Sequence, residues 1–392
     1  MNFDFTEEQT MLRDSVARFV QDDYDFDKRR AITATEEGIS RDHWMTFAEL
    51  GWLSVPFAED FGGFGGGPVD VMVMMEEFGK GLVVEPYLAT VVMYGGLLRA
   101  AGSEAQKAQY IPSIVDGSTL GAFAYIERQS RYELTDIVTS ASTSDSGYVL
   151  NGEKVAVVNG ANADQLIVSA RTSGDQYDDK GISLFLVPAN ADGVSKAEYR
   201  MMDGQKVANI VLKDVAVPAD ALLGELDGAY PAIDQVVQET LVALGAEALG
   251  LMQQLNVKTL EYTKTREQFG VAIGSFQALQ HRMVETFMSY EQARSMLFRA
   301  VCALDNGDPD SRRTIHAMKV MIERCGTHIF EEAIQLHGGM GLTDELDIGH
   351  FAKRLMMINS TLGDGDYHQA KFSALSYSAS GSDAVTSISD AA

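Results

Sequence analysis

The sequence predicts an α+β multidomain protein with an N-terminal α-helical domain, a middle antiparallel β domain and a C-terminal four-helix bundle. Three observations carry this. Apolar residues recur at threes and fours up to about Gly117, short apolar runs broken by turn residues follow, and a long helical stripe returns near Pro231. At 392 residues the chain exceeds one ordinary core, at roughly 150 residues per domain. The boundaries are set at 1–117, 118–222 and 223–377, with 378–392, poor in bulky side chains, expected as a flexible tail.

In the first segment Met11, Val16, Phe19 and Val20 fall on one helical face, and Asp42 to Leu50 form a second amphipathic stretch. The glycine run 62–67 before Pro68 reads as a loop, after which Val69 to Gly79 and Leu88 to Ala101 resume helix. The middle segment offers strands at Tyr148–Leu150, Val155–Val158, Leu166–Ala170, Ile182–Val187 and Ile210–Val217, with turn-rich pieces such as Asn151-Gly152 between them. In the last segment Ile233, Val236, Val237, Leu241, Leu244, Ala248, Leu251 and Leu255 make one stripe. Leu279, Met283, Phe287, Tyr290 and Leu297 make a second, the run from Ile315 to Leu336 a third, and Phe351 to Ile358 supply the fourth helix.

A formal net charge of −25 argues against binding to nucleic acid, whose affinity comes mostly from cationic side chains. No uncharged apolar run reaches the roughly 18 residues that a membrane helix needs. The acidic first residues lack the form of a secretory signal, and a cytoplasmic location is expected. Cys302 and Cys325 indicate neither a disulfide framework nor a metal site, and His281 and His337 lack metal-ligand spacing, so they are expected to pack or to form hydrogen bonds.

Particular motifs then point further. Thr265-Arg266-Glu267-Gln268-Phe269-Gly270, Phe276-Gln277-Ala278-Leu279-Gln280-His281 and Gln335-Leu336-His337-Gly338-Gly339-Met340-Gly341 stand in this order, with Gly51-Trp52, Pro56, the Gly62-Gly63 loop and Leu150-Asn151-Gly152-Glu153-Lys154 upstream. Together they resemble the acyl-CoA dehydrogenase family over nearly the whole chain, from Phe5 to about Lys371. The resemblance implies the same order of domains, an FAD cofactor and α,β-dehydrogenation of an acyl-CoA thioester.

FAD presents a pyrophosphate, a flat ring with polar edges and an adenine, so its site needs a cation, close backbone approach and shaped apolar surface. The guanidinium of Arg266 suits phosphate oxygens. The resemblance implies that Arg266 reaches the pyrophosphate of an FAD held mainly by a neighbouring subunit and that Phe269 lines the adenine. It implies cofactor contacts for Gln277, Gln335, Gly338 and Gly339 as well. The middle segment departs from the family: Ile126-Glu127-Arg128-Gln129 replaces a usual Thr-Glu-Pro-Gly, and Ala156-Val157-Val158 a usual Trp-Ile-Thr. Two flavin-bonding hydroxyls are thereby lost, leaving backbone groups of Tyr125, Ile126 and Val157 to serve.

Removal of the α proton calls for a carboxylate close to the α carbon. The family's commonest catalytic glutamate precedes a glycine where this chain has Leu362-Gly363. A second family position aligns with Thr240. The candidate bases are therefore Glu247, seven residues further along the same helix, Asp364, just past the glycine, and Glu239. Three readings stand open: a dehydrogenase with a displaced base, a base-lacking partner subunit of a heteromeric dehydrogenase, and a flavin-dependent oxygenase or scaffold. The segment from Arg354 to His368 resembles the small subunit of pimeloyl-CoA dehydrogenase, which bears on the second. The resemblance implies an acyl-CoA substrate, an electron-transfer flavoprotein or similar acceptor, and either a homo-oligomer or a heteromer with a second chain of the same kind.

Overall fold

The computed structural model describes residues 5–375, and the expected tail at 378–392 lies outside the described residues. Helix α1 (Glu7–Asp23) starts at a reciprocal cap between Thr6 and Gln9. Helices α2 (Phe26–Ala34), α3 (Arg41–Glu49) and α4 (Pro68–Gly81) follow, with the glycine-rich loop before α4 as expected. The Phe47 and Phe78 rings stack at 5.3 Å, and Trp52 packs on both. The single helix expected from Leu88 to Ala101 divides into a π-helical piece, Leu88–Tyr94, and α5 (Gly95–Ala101). The widened turn contains Thr90, whose hydroxyl accepts from Gly121 N–H at 3.2 Å and donates to Gly121 O at 3.1 Å. Helix α6 (Glu104–Val115) ends the segment.

The sheet contains β1 (Gly121–Ala124), β2 (Ser140–Ser144), β3 (Gly147–Val158), β4 (Gln165–Arg171), β5 (Ile182–Pro188), β6 (Val194–Arg200), β7 (Lys206–Pro218) and β8 (Leu222–Leu223). Its order is β6-β7-β3-β2-β4-β5-β8, with β1 beside β4. Most neighbours are antiparallel, as expected, but β1 pairs with β4 in parallel, and β2 meets β4 in parallel at Ser140 and Arg171. A long excursion through β2 and β3 separates β1 from β4, so no hairpin sets their direction. The sequence hid β2 and β6 because neither has an apolar run: their residues are largely exposed and polar.

The last segment opens with α7 (Tyr230–Thr265). A small hairpin, β9 (Glu267–Gln268) and β10 (Val271–Ala272), leads to α8 (Gln277–Asp305) and α9 (Ser311–His337). Helices α10 (Ile348–Ser360) and α11 (Gly365–Ala374) complete the described chain. The expected four helices are present, and α11 adds a short fifth. The second predicted stripe is corrected in its first half: Phe287 is 57% exposed on α8, whereas Tyr290 and Leu297 are buried.

Helices α4 and α7 touch backbone to backbone. A Cβ on Gly79 would sit 2.1 Å from Glu247 O, and one on Gly250 2.0 Å from Glu76 O. Only glycine admits so close a crossing, and it fixes Glu247 at the seam between the first and last helical segments.

Candidate active site

The turn between α10 and α11 carries the position where the sequence lacks a base. Leu362 adopts φ 59° and Gly363 φ 122°. Left-handed backbone is unfavourable for leucine and held only by its surroundings. Here those surroundings are buried polar groups. Lys319 on α9, inaccessible to solvent, donates to Ile358 O at 2.8 Å, Asn359 O at 3.0 Å and Gly363 O at 2.7 Å. Burial pushes its ammonium down to about 7 despite Glu323 and Asp364 nearby. His368 Nε2 lies 3.1 Å from Leu362 O. A side chain at 363 would collide with this ring, since a Cβ there would lie 2.6 Å from Nε2.

Leu362 faces a cleft of about 220 Å³, lined also by His316, Tyr367, Arg312, Lys371 and Tyr132. His316 Nδ1 and His368 Nδ1 are 2.8 Å apart. Burial, with Arg312 and Lys371, pushes His316 down to about 4, and burial, with Lys319 and His316, pushes His368 down to about 3. Both rings are therefore neutral at pH 7. Behind the turn, Thr361, Val158, Leu244, Glu85, Glu247 and Arg354 border a smaller cavity of about 60 Å³. Consecutive residues of one turn thus face an open cleft and an inner cavity.

Each of the three predicted carboxylates already has a partner. Glu247 accepts a two-point fork from Arg354, at 2.5 Å from Nε and 2.8 Å from Nη2, and Arg354 Nη1 also reaches Asp203 Oδ2 at 2.9 Å. All three groups are buried, so Glu247 serves as a counterion. Glu239 is paired with Arg99 beside a separate hollow of about 270 Å³ lined by Pro56, Val92 and Ala243. Asp364 caps α11, accepting from Tyr367 N–H at 2.9 Å. Thr240 is buried and donates to Val236 O at 2.7 Å.

The predicted cofactor residues fall into two sets. At one end of the bundle, Arg266, Phe269, Gln277, Gln335, Gly338 and Gly339 are all exposed, Phe269 at 92%. The hairpin bends Phe269 to within 6.1 Å of Phe276, Tyr262 stacks on His337 at 4.3 Å, and Arg282 of α8 pairs with Glu332 of α9 at 2.5 Å. These contacts hold the ends of α7, α8 and α9 as one surface. No atom lies within 4 Å of a Cβ built on Gly338 or Gly339, so their backbone stands open to a ligand. An exposed guanidinium, an exposed ring and open glycine backbone suit a phosphate-bearing aromatic cofactor. His337 itself packs, as expected, and bonds Ala333 O through Nδ1 at 2.7 Å.

In the second set, on and beside the sheet, each carbonyl already accepts one bond. Ile126 O accepts from Val155 N–H at 2.8 Å, Val157 O from Gly160 N–H at 2.9 Å, and Tyr125 O from Lys154 Nζ at 3.4 Å. Beside them Lys154 and Glu127 form a buried pair at 2.8 Å, and Glu127 also accepts from the N–H groups of Val138 and Thr139. The functional groups that sequence reasoning missed are Arg354, Asp203, Lys319 and the His316–His368 pair. One signal was readable: Lys319 stands four residues after Ile315 and three before Ile322, on the apolar face of its helix.

Comparison with known proteins adds a family context. The profile of the acyl-CoA dehydrogenase N-terminal domain matches residues 6–118, that of the middle domain 122–215 and that of the C-terminal domain 228–370. Probable acyl-CoA dehydrogenase YngJ of Bacillus subtilis is 30% identical over 376 residues, covering 93% of this chain and 96% of its own. Among solved structures, PigA with FAD and proline superposes with a TM-score of 0.89 at 27% identity, covering 95% of this chain and 98% of that one. A steroid ACAD named for two proteins, Tcur3481 and Tcur3483, superposes with a TM-score of 0.84 at 27% identity, over 94% and 97% of the two chains. Among the described residues no helix is long and apolar enough to cross a membrane.

Proposed function

The chain belongs to the acyl-CoA dehydrogenase family, and on that premise we propose that it is an FAD-dependent oxidoreductase that introduces a double bond between the α and β carbons of an acyl-CoA thioester. The observation that carries this reading is the exposed end of the bundle, where Arg266, Phe269, Gln277, Gln335, Gly338 and Gly339 form one surface open to a ligand. When bound, FAD accepts the hydride from the β carbon. Arg266 meets the pyrophosphate, Phe269 lies along the adenine, and the open backbone at 338–339 admits the close approach of the cofactor. Because these groups point away from their own chain, they serve an FAD shared with a neighbouring subunit, and the working unit is an oligomer.

The cleft beside Leu362 takes the thioester. Its rim carries Arg312 and Lys371, the local cations an anionic substrate needs on a chain of net charge −25. Tyr132, Tyr230 and Tyr367 give it aromatic walls. An electron-transfer flavoprotein or a similar acceptor reoxidises the cofactor.

A second reading is favoured by one observation: Glu247, Glu239 and Asp364 are all engaged. In that reading the chain lacks a base of its own and assembles with an unlike acyl-CoA dehydrogenase chain, an arrangement suggested by the solved relative named for two proteins. Purification of the chain alone, followed by its visible spectrum and anaerobic titration with acyl-CoA esters, tests both. Flavin colour that bleaches with an ester supports an autonomous dehydrogenase. Absence of flavin from the lone chain, with colour recovered on co-purification with a second chain, supports the heteromer.

A further inference from the structure

Three carboxylates are engaged and the customary base position holds leucine, yet one unengaged proton acceptor borders the cleft. It is found by following the hydrogen bonds outward from the turn. Leu362 O can only accept, so His368 Nε2, 3.1 Å away, carries a hydrogen and donates it. In a neutral imidazole the other nitrogen is then a bare acceptor, so His368 Nδ1 receives the bond of 2.8 Å and His316 Nδ1 donates it. By elimination the lone pair of His316 lies on Nε2. That atom makes no hydrogen bond among the described residues and is not one of the buried unsatisfied atoms, while its residue lines the cleft with Leu362.

We propose that His316 Nε2 is the proton acceptor of the dehydrogenation, positioned through His368 by the carbonyl of Leu362. The proposal rests on the reading of the chain as an autonomous dehydrogenase. The α C–H bond breaks, its proton goes to His316 Nε2, and its electron pair forms the new α,β double bond as hydride leaves the β carbon for FAD. Substrate thereby loses one proton and one hydride, and FAD gains two electrons. The resulting imidazolium keeps its Nδ1 hydrogen on the bond to His368 and releases the Nε2 proton into the open cleft.

The charged and titratable neighbours fit this assignment. On α9, Arg312 is paired with Asp234 of α7; from α11, Lys371 is paired with Glu133, while Lys319 stands behind His368, and Tyr367 and Tyr132 lie at the cleft wall. Burial first, and the nearby cations second, keep the pair unprotonated at neutral pH, so the lone pair is available. The conjugate acid falls in the range of a carboxylic acid, the strength of the group that Leu362 replaces. Leu362 fits as well: with φ 59°, its carbonyl is held against His368 while its side chain lines the cleft beside His316.

His316→Asn provides the test, because the amide keeps a donor at the place of Nδ1 and removes the Nε2 lone pair. Wild type and variant, in whatever assembly purifies with flavin, are incubated anaerobically with butanoyl-CoA in D2O, and α-hydrogen exchange is followed by NMR. Flavin content and ester affinity are measured alongside. We expect exchange to fall at least 100-fold with flavin content and affinity unchanged, and His316→Ala to be restored by added imidazole. A second readout is independent of turnover: the 15N resonance of His316 Nε2 should shift when butanoyl-CoA binds flavin-free protein. Wild-type exchange that persists in His316→Asn overturns the proposal and leaves the dehydrogenase reading intact. A lone wild-type chain that takes up no flavin and exchanges nothing, with exchange recovered only beside a second chain and indifferent to His316, overturns both.

Discussion

Arg354 and Glu247 face each other as fork and carboxylate across the seam between α10 and α7, with both bonds between 2.5 and 2.8 Å. Arg354 also holds Asp203 from the turn between β6 and β7, so one guanidinium ties the sheet to two helices of the bundle. Removing one partner of a buried ion pair typically costs about 3–5 kcal/mol, because the other charge stays buried and unmatched. Glu247→Gln should therefore lower the free energy of unfolding in urea by that amount. Were Glu247 instead the catalytic base, the same change would abolish turnover and leave the urea midpoint where it was.

The Lys154–Glu127 pair makes the sheet sensitive to acid. Burial alone would raise the Glu127 carboxyl, but Lys154 and the bonds from Gln129 and Thr139 hold it at about 2. A depressed carboxylate stabilises the fold above the unfolded value of about 4.3. That contribution is lost as pH falls from there through 2. Lys154, lowered to about 8 by burial, has the same sign in a higher range: the fold gains stability as pH rises from 8 towards the unfolded value of about 10.4. Glu127→Gln should be less stable at pH 7 and lose less on acidification to pH 3, as measured by urea unfolding at the two values. Equal losses in the two proteins would remove Glu127 as the source.

His316 and His368 predict a second acid-sensitive range. Their folded values, about 4 and about 3, lie below the ordinary histidine value near 6.5. Between pH 6.5 and 4 the unfolded chain binds more protons than the folded one, so stability falls as pH falls. The loss from pH 7 to pH 5 should be on the order of 2 kcal/mol for each ring, about 4 for the pair. His368→Gln keeps a donor for Leu362 O and removes one titrating group. It should flatten this part of the profile, and an unchanged slope would assign the sensitivity elsewhere.

The bundle end predicts binding without stability. Phe269 is 92% exposed at the tip of the hairpin, and Arg266 beside it is exposed too. Truncating an exposed side chain usually changes stability by no more than about 0.5 kcal/mol. Phe269→Ala and Arg266→Gln should purify with less FAD and a smaller hydrodynamic size, yet melt by circular dichroism like wild type stripped of FAD and of the same size. A flavin content equal to wild type in both would exclude this surface from cofactor binding.

What the sequence revealed depended on whether the signal was periodic. The α7 stripe from Ile233 to Leu255 was legible because its apolar burial repeats with the helical period, and the strand Leu166–Ala170 because it is a short run buried on both faces. The strands β2 and β6 were not, being mostly exposed, and neither was the π-helical turn at Thr90, which depends on Gly121 from another segment. Motif resemblance singled out Arg266 and Gly338, and the structure leaves both exposed at one end of the bundle. The resemblance did not reveal that Glu247 is paired, because Arg354 lies 107 residues further along, the Asp203 that shares this guanidinium lies 44 before Glu247, and polar pairing has no period. The same holds for Lys319, His316 and His368, which are joined by the α10–α11 turn and not by spacing.

The last prediction restores what the turn lacks. Leu362 lines the cleft beside His316, Arg312 and Lys371, and its backbone is held at φ 59° by His368 and by the Lys319 bond to Gly363, neither of which depends on the leucine side chain. Leu362→Glu should therefore fold, losing about 1–3 kcal/mol for a side chain that is 8% exposed in the native protein. Its carboxylate would enter a cleft bordered by Arg312 and Lys371, each already paired with a carboxylate, Asp234 and Glu133, so most of the desolvation stands uncompensated. In the His316→Asn background this glutamate should return α-hydrogen exchange with butanoyl-CoA that the single variant has lost. Recovery would establish that the α carbon rests between residues 316 and 362. Failure of a folded, flavin-loaded double variant to exchange would mean that the thioester binds away from this turn.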